Sequence, residues 1–256
     1  MEFQNNHFTF GYAGNKRKET PELYKMFKHM TEGKDIKYIV EPFCGSSSFA
    51  YYVSINEPNK YVYILNDNNP HLISFYRVMQ SKSKLLKLIK KLNLMTINLN
   101  KEKYKEIIQQ DTMEGWIISH KILAIRPGFF PLNYHDKMHR FDYMLDCPIV
   151  SFLRNEKIIL FNGDGISIIK TYNRPDKFIF LDPPYLTMNN DFYYDHNTNV
   201  YEYLAKHKIT TMKAQVMLCL SDNWIVRLLF SDDIKKTYEK KYEVSKNTVT
   251  HLIITN

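Results

Sequence analysis

The run Phe178, Ile179, Phe180, Leu181 is short, aromatic and β-rich, and it reads as a buried strand. It ends on Asp182, and Pro183, Pro184 and Tyr185 follow at once. Neither proline can continue a central strand, because neither offers an N–H to the ladder. Asp182 therefore sits where a strand leaves its sheet, and in open α/β sheets that carboxyl edge is where ligands bind. The prolines stiffen the backbone and leave carbonyls with no N–H of their own. A rigid bracket of acceptors beside an aromatic ring suits a flat group that carries an amine. An ordinary Asp-Pro-Pro turn looks the same in isolation, so the surrounding elements must decide.

Other strand candidates also end on acids. "KYIVEPF" reaches Glu41, "KYVYILND" ends on Asp67, "EKIILFNGD" has Asp164 just past its end, and "QVMLCLSD" closes on Ser221 and Asp222. "KKYEV" and "THLIIT" are expected to pair as a final hairpin. "NPHLISFYRVMQ" has Leu72, Phe75, Tyr76 and Met79 at helical spacing. Strands that alternate with helices and carry acids at one edge define a doubly wound α/β sheet. The segment from Ser81 to Asn155 breaks the alternation. "LLKLIKKL", "KEKYKEIIQQ" and "GWIISHKILAI" are helical in pattern, whereas "RPGFFPLNYHDKMHRF" follows no period. This insertion holds 13 Lys/Arg against 7 Asp/Glu, so it carries +6 of the chain's net +8.

The 256 residues are 44% hydrophobic and 14% aromatic, which excludes a disordered chain and allows one large α/β domain with an insertion. The basic balance favours a polyanionic partner such as nucleic acid. Cys44, Cys147 and Cys219 are odd in number and far apart, so neither a disulfide framework nor a zinc pairing is expected. "MEFQNNHFTF" lacks a signal pattern and no apolar run nears the ~18 residues of a membrane span. A soluble, cytoplasmic protein is expected.

A strand, a small-residue turn, a helix and an acid at the next strand's end is the arrangement that binds adenosine. Gly45 precedes Asp67 by close to the ~20 residues expected of an acid on ribose hydroxyls. The turn "GSSS" lacks the further glycines of a pyrophosphate cradle. At the N-terminus, "FGYAGNKRK" offers Gly11 and Gly14 for close backbone approach, the Tyr12 ring, and Lys16 as a cation suited to a carboxylate. "TPEL" then starts a helix, with Thr20 as N-cap and Pro21 in the first position.

"GYAGNK", "EPFCGSSSF", "LNDNNP" and "FLDPPY", in that order, resemble the Dam-type DNA adenine-N6 methyltransferases of the alpha group. The resemblance covers most of the chain and is weakest from Ser81 to Asn155. It implies a class I methyltransferase (Rossmann-like) sheet with an inserted, mostly helical target-recognition region. Residues 1–80 and 156–256 would form the catalytic domain, and 81–155 the DNA-binding region. S-adenosyl-L-methionine is the implied methyl donor, contacted by Tyr12, Lys16, Glu41, Gly45, Asp67 and Asp182. Asp182, Pro183, Pro184 and Tyr185 take the catalytic positions. Arg126, Lys137 and Arg140 are the expected DNA contacts, in the stretch where the family's recognition sequence would stand. Ser47 replaces a glycine that many members carry.

The implied chemistry accounts for the opening stretch. The N6 amine of adenine is a poor nucleophile, because its lone pair is delocalised into the ring. Acceptors at Asp182 and the Pro183 carbonyl would turn that lone pair toward a methyl donor, by positioning and electrostatics alone. In duplex DNA the base must flip out, with Tyr185 as a stacking plate. No metal is needed, and His135 and His139 lack a third ligand. A polar surface loop and a cover over the flipped base remain equal readings of "TMNNDFYYDHNTNVYEY". Two alternatives stay open: methylation of RNA or of a protein amide, and a degenerate, DNA-binding subunit. A partner endonuclease or a homodimer is also left open. The Lys-, Asn-, Ile- and Tyr-heavy composition fits an AT-rich, viral or phage source.

Overall fold

A computed structural model describes residues 7–12, 14–122, 140–185, 199–230, 234–241 and 248–256. The chain divides into two compact units. One comprises Lys16–Asn69 and Ile159–Asn256, the other Met1–Asn15 and Pro70–Ile158. Helices α1 (Thr20–Thr31) and α2 (Ser48–Asn56) belong to the first unit. The second holds α3 (Pro70–Met79), α4 (Lys82–Met95), α5 (Lys101–Gln109), α6 (Met113–Ile122) and α7 (Pro148–Leu153). The first unit resumes with α8 (Gly165–Tyr172), α9 (Asn199–Lys206) and α10 (Trp224–Phe230).

The sheet has seven strands: β1 (Tyr38–Glu41), β2 (Val62–Asp67), β3 (Ile158–Asn162), β4 (Lys177–Leu181), β5 (Gln215–Ser221), β6 (Ile234–Lys241) and β7 (Thr248–Thr255). Their order is β3-β2-β1-β4-β5-β7-β6. β1 runs parallel to β2 and β4, and β4 parallel to β5, while β7 is antiparallel between β5 and β6. This is the expected class I methyltransferase sheet. Because β2, β1, β4 and β5 are parallel, Glu41, Asp67, Leu181 and Ser221 all end at one edge.

Strand period explains how both faces are covered. Phe178 and Phe180 turn to the face of α1 and α2, where Phe27 meets Phe178 edge-on at 4.7 Å and Phe49 stacks on Phe180 at 4.4 Å. The alternate residues Ile179 and Leu181 join Val40, Val216, Leu218 and Leu252 on the other face, packed with Ile169, Leu204 and Phe230 of α8, α9 and α10. Each such side chain taken from water stabilises the fold by about 1.5–3 kcal/mol. The apolar run after Lys177 is therefore a strand buried on both sides.

In the helical unit, α4 buries Leu85, Leu88, Ile89 and Leu92, the stripe that its sequence period predicts. Asn100 caps α5, accepting from the Lys103 N–H at 2.8 Å. The N-terminal stretch packs on these helices: Phe10 stacks on Phe75 at 6.1 Å and meets Trp116 edge-on at 5.6 Å. The Tyr143 hydroxyl donates to the Thr9 carbonyl. "RPGFFPLNY" and the His135/His139 pair lie outside the described residues.

Two expectations are corrected. Thr20 is the first residue of α1 and not its N-cap; Glu19 flanks the helix, and the Thr20 hydroxyl donates to the Lys16 carbonyl at 2.7 Å. The local turn after Lys16 supplies an acceptor that outcompetes self-capping. The hairpin forms, and its first strand starts earlier than expected, at Ile234; Lys240 and Lys241 of "KKYEV" belong to it, opposite Val249 and Thr248, while residues 242–244 lie outside the described residues.

Gly165 opens α8 directly against the Phe43 ring of the β1–α2 loop. A Cβ there would overlap the ring edge, with Cζ only 2.5 Å away. Gly165→Ala is expected to destabilise the protein by about 1–3 kcal/mol through overpacking, read as a lower denaturant midpoint at unchanged slope. An unshifted midpoint would remove the packing argument.

Candidate active site at the carboxyl edge of the sheet

Lys16 enters the sheet unit just before α1. Its carbonyl accepts the Glu19 and Thr20 N–H groups at 3.0 and 2.9 Å, so the first turn of the helix fixes its backbone. Its ammonium lies 2.6 Å from each oxygen of Asp182, with the lysine side chain 4% and the aspartate 17% exposed. Burial works against the charge, yet the Asp182 carboxylate outweighs it and holds Lys16 protonated beyond its ordinary range. The lysine read as a partner for some carboxylate thus has one within the protein, and it is the strand-end aspartate.

Asp182 leaves β4 with Pro183 buried and Pro184 half-buried behind it. The Pro184 carbonyl accepts from the Tyr201 hydroxyl at 2.9 Å, so α9 holds the turn. Tyr185 is only 3% exposed, with its hydroxyl 3.3 Å from Asp182 Oδ1 and 3.2 Å from His251 Nδ1. Lys16 Nζ lies 5.0 Å from its ring centroid. One cation therefore faces both the carboxylate and the aromatic plate.

Glu41 ends β1 and is buried. Its Oε1 accepts the Ala50 N–H at 2.8 Å, so the strand acid serves the open amino end of α2. Burial pushes its carboxyl up to about 8; the Ala50 N–H opposes the shift, and the Asp182 charge adds to it. Asp67 ends β2 and braces the next turn, with Oδ2 accepting from the Gly45 N–H and Oδ1 from the Asn69 N–H, each at 3.0 Å. Burial raises its carboxyl as well, against those two bonds. Asn66 ties the Pro42 and Gly163 carbonyls together through its amide, at 2.8 and 2.9 Å. Gly45 takes φ 45° and Ser47 φ 50°. Ser47 therefore holds a left-handed conformation that glycine would take without steric cost.

Of the expected site residues, Lys16, Glu41, Gly45, Asp67, Asp182, Pro183, Pro184 and Tyr185 belong to the sheet unit. Tyr12 belongs to the helical unit, edge-on to Phe8 at 5.7 Å and stacked near His120 at 6.4 Å. Arg140 is exposed, its Nε donating to Asp142 at 2.9 Å. Arg126 and Lys137 lie outside the described residues. Among the described residues no cluster of three metal-ligating side chains occurs, and no helix is long and apolar enough to cross a membrane. His251 and Tyr201 were not read as site residues in the sequence. Tyr201 stands in the stretch read as a surface loop or a cover, whose last residues from Asn199 instead open α9, and His251 in a strand run with no spacing to mark it; only the α9 packing and the β7 register bring them to the turn.

The chemistry of the donor set fits S-adenosylmethionine. Glu41 is a buried carboxyl of a kind that suits an ammonium, and Asp67, which braces the Gly45 turn, is a carboxyl of a kind that suits ribose hydroxyls. Among the described residues no cluster of cations or glycines stands at the turn for a pyrophosphate. A sheet of this order with acids at these strand ends and a DPPY turn defines an amino-methyltransferase. Residues 12–143, just over half the chain, match the D12 class N6 adenine-specific DNA methyltransferases, and the chain belongs to that family. The matched span stops short of Asp182. The chain is 23% identical over 245 residues to the type II methyltransferase M.CviBI of Paramecium bursaria Chlorella virus NC1A, covering 87% of this chain and 90% of that one. Among solved structures it is similar to the rRNA methyltransferase aviRa of Streptomyces viridochromogenes, at 12% identity and TM-score 0.46, covering 96% and 86% of the two chains. A second is precorrin 8w decarboxylase of Methanobacterium thermoautotrophicum, at 9% identity and TM-score 0.38, with 92% and 89% covered. The protein is thus an S-adenosylmethionine-dependent DNA adenine-N6 methyltransferase.

Glu41 also sets a pH dependence of stability. The unfolded chain releases this proton near 4.5, whereas the folded chain keeps it to about 8. Between those values the folded state binds more protons, so this contribution is complete below 4.5 and is lost as pH rises toward about 8. Glu41→Gln keeps an acceptor for the Ala50 N–H and should flatten the decline. Denaturant midpoints of both proteins across that window test it, and parallel profiles would reject a protonated Glu41.

Proposed function

We propose that the Asp182–Tyr185 turn is the catalytic site and that the basic insertion, residues 81–155, reads the DNA target. The observation that carries the first part is the Lys16 ammonium against both oxygens of Asp182 at 2.6 Å, at the carboxyl edge of the central strand. The lysine gives the carboxylate a neutralising counter-charge, so Asp182 serves as a fixed acceptor for the adenine amine. With the Pro183 carbonyl, Asp182 takes the two N6–H bonds and turns the nitrogen lone pair outward. S-adenosylmethionine, when bound, supplies a methyl group on a sulfonium, which already carries its own leaving group. Glu41 holds the ammonium of that molecule, Asp67 its ribose, and Gly45 allows close approach. In a duplex the target adenine is flipped out, and Tyr185 supports the extruded ring.

The charge of the insertion supports its role, since neutralising phosphates is the main source of affinity for DNA. Arg126, Lys137 and Arg140 are the proposed contacts. The proposed place of action is the cytoplasm, of a cell or of a virus's host. The coverage of a chlorella-virus methyltransferase at 90% of its length favours a viral source.

Asp182→Ala should lower single-turnover methyl transfer to adenine-containing duplexes by at least ~10²-fold, the scale of removing one preorganised charge-stabilising group. DNA affinity should change far less, because the interaction is made largely in the transition state. Tyr185→Ala should weaken both, and Tyr185→Phe should be milder. Transfer by Asp182→Ala at the wild-type rate would remove Asp182 from the chemistry.

Asp67→Ala is expected to weaken S-adenosylmethionine binding by ~1.5–3 kcal/mol, the loss of a hydrogen bond to a charged group. Calorimetry on the folded variant decides it; an unchanged affinity would take Asp67 out of the cofactor site.

A further inference from the structure

We propose that His251 is a positioning residue for methyl transfer, fixing the Tyr185 hydroxyl against Asp182. This rests on the catalytic assignment of Asp182 and Tyr185 made above. His251 is fully buried in β7, opposite Ser221 at the end of β5 and opposite Tyr238 of β6. The insertion of β7 between β5 and β6 thus carries an imidazole to the edge where Asp182 leaves the sheet. Tyr238 lies over that imidazole at 5.2 Å and 28°, and Tyr185 meets it edge-on at 5.4 Å and 75°. Strands on both sides and a stacked ring leave the imidazole plane little freedom.

The proton inventory gives this contact a direction. The Tyr185 hydroxyl has a single proton and lies 3.3 Å from Asp182 Oδ1 and 3.2 Å from His251 Nδ1. Asp182, paired with Lys16, only accepts. If the phenol donated to His251, its oxygen lone pair would face a carboxylate oxygen in a buried site, where such a clash is costly. The favourable arrangement is His251 Nδ1–H to Tyr185 oxygen, and Tyr185 O–H to Asp182. The network therefore selects the histidine form protonated at Nδ1. Both contacts are long for such bonds, as catalytic hydrogen bonds often are before substrate binds.

The consequence is geometric. One end of Tyr185 is its backbone on the two-proline turn, and the other is a hydroxyl held by His251. With both ends fixed, the ring plane against the extruded base and the rotation of the Asp182 carboxylate are set together. His251 touches neither substrate nor cofactor in this scheme, so its effect passes through the Tyr185 hydroxyl. It belongs in the rate of transfer and not in the affinity for S-adenosylmethionine.

A double-mutant cycle reads this directly. His251→Phe keeps the stacking ring but loses the donor. It should slow single-turnover transfer about tenfold, the scale of one buried hydrogen bond, at unchanged S-adenosylmethionine affinity. In the Tyr185→Phe background the same substitution should cost less than about twofold. His251→Asn, whose amide N–H can stand in for Nδ1–H, should stay within about threefold of wild type, and it carries the test if His251→Phe does not fold. Equal losses in the Tyr185 and Tyr185→Phe backgrounds, or a wild-type rate for folded His251→Phe, would overturn the proposal. Asp182→Ala measured alongside separates the two ideas. If it stays active, the site assignment itself fails; if it is dead while His251→Phe is at full rate, only the role of His251 fails.

Discussion

A buried ammonium is costly unless a counter-charge meets it with good geometry. Lys16, 4% exposed, is met by both oxygens of Asp182 at 2.6 Å. The pair joins two parts of the sheet unit far apart in sequence: the start of α1, whose first N–H groups bond the Lys16 carbonyl, and the end of the central strand β4. The arrangement around it follows. The carboxylate meets a counter-charge, the tyrosine hydroxyl has a fixed partner, and the cation faces the aromatic ring. Removing either charge would take from the other its counter-charge at 2.6 Å, the costlier situation.

Five strands bring an acid to or just past their ends, and environment gives each a different task. Asp164 caps α8, accepting from Ile166 and Ser167 N–H groups at 3.2 and 3.0 Å. Asp222 forms a two-point pair with Arg227, each contact 2.6 Å. These two are partly solvated and structural. Glu41 is held toward neutrality by burial, whereas Asp182 has a cation beside it. Two carboxyl groups near one edge, one pushed toward its neutral form and one facing a buried cation, are thereby set apart. The turn between β1 and α2 carries its own strain at Ser47, in a left-handed conformation for which many family members use glycine. The bonds from Asp67 to Gly45, and from the Ser47 N–H to the Cys44 carbonyl at 2.7 Å, hold that turn closed.

Much was legible in the sequence, because the relevant physics is local. The short apolar, β-rich runs "KFIFL" and "VYILN", the prolines after Asp182 and the leucine stripe of α4 required only strand and helix geometry. The acids at strand ends followed from knowing where apolar runs stop. The order of four motifs, set by the chain itself, was enough to indicate the family, and the match over residues 12–143 agrees. Tertiary structure decided what depends on partners distant in sequence. Lys16 and Asp182 are 166 residues apart, and no spacing rule could show that they meet. Thr20 turned out to bond the Lys16 carbonyl and not to cap its own helix, since the turn before it supplied a better acceptor. His251 looked like one more polar residue in a strand, because its meaning comes from the register of β7 between β5 and β6. The first strand of the hairpin starts earlier, at Ile234, for the same reason. Local propensity determines which elements form, but the pairing of strands and the burial of charge are settled only when the whole sheet closes, and those two choices made the site.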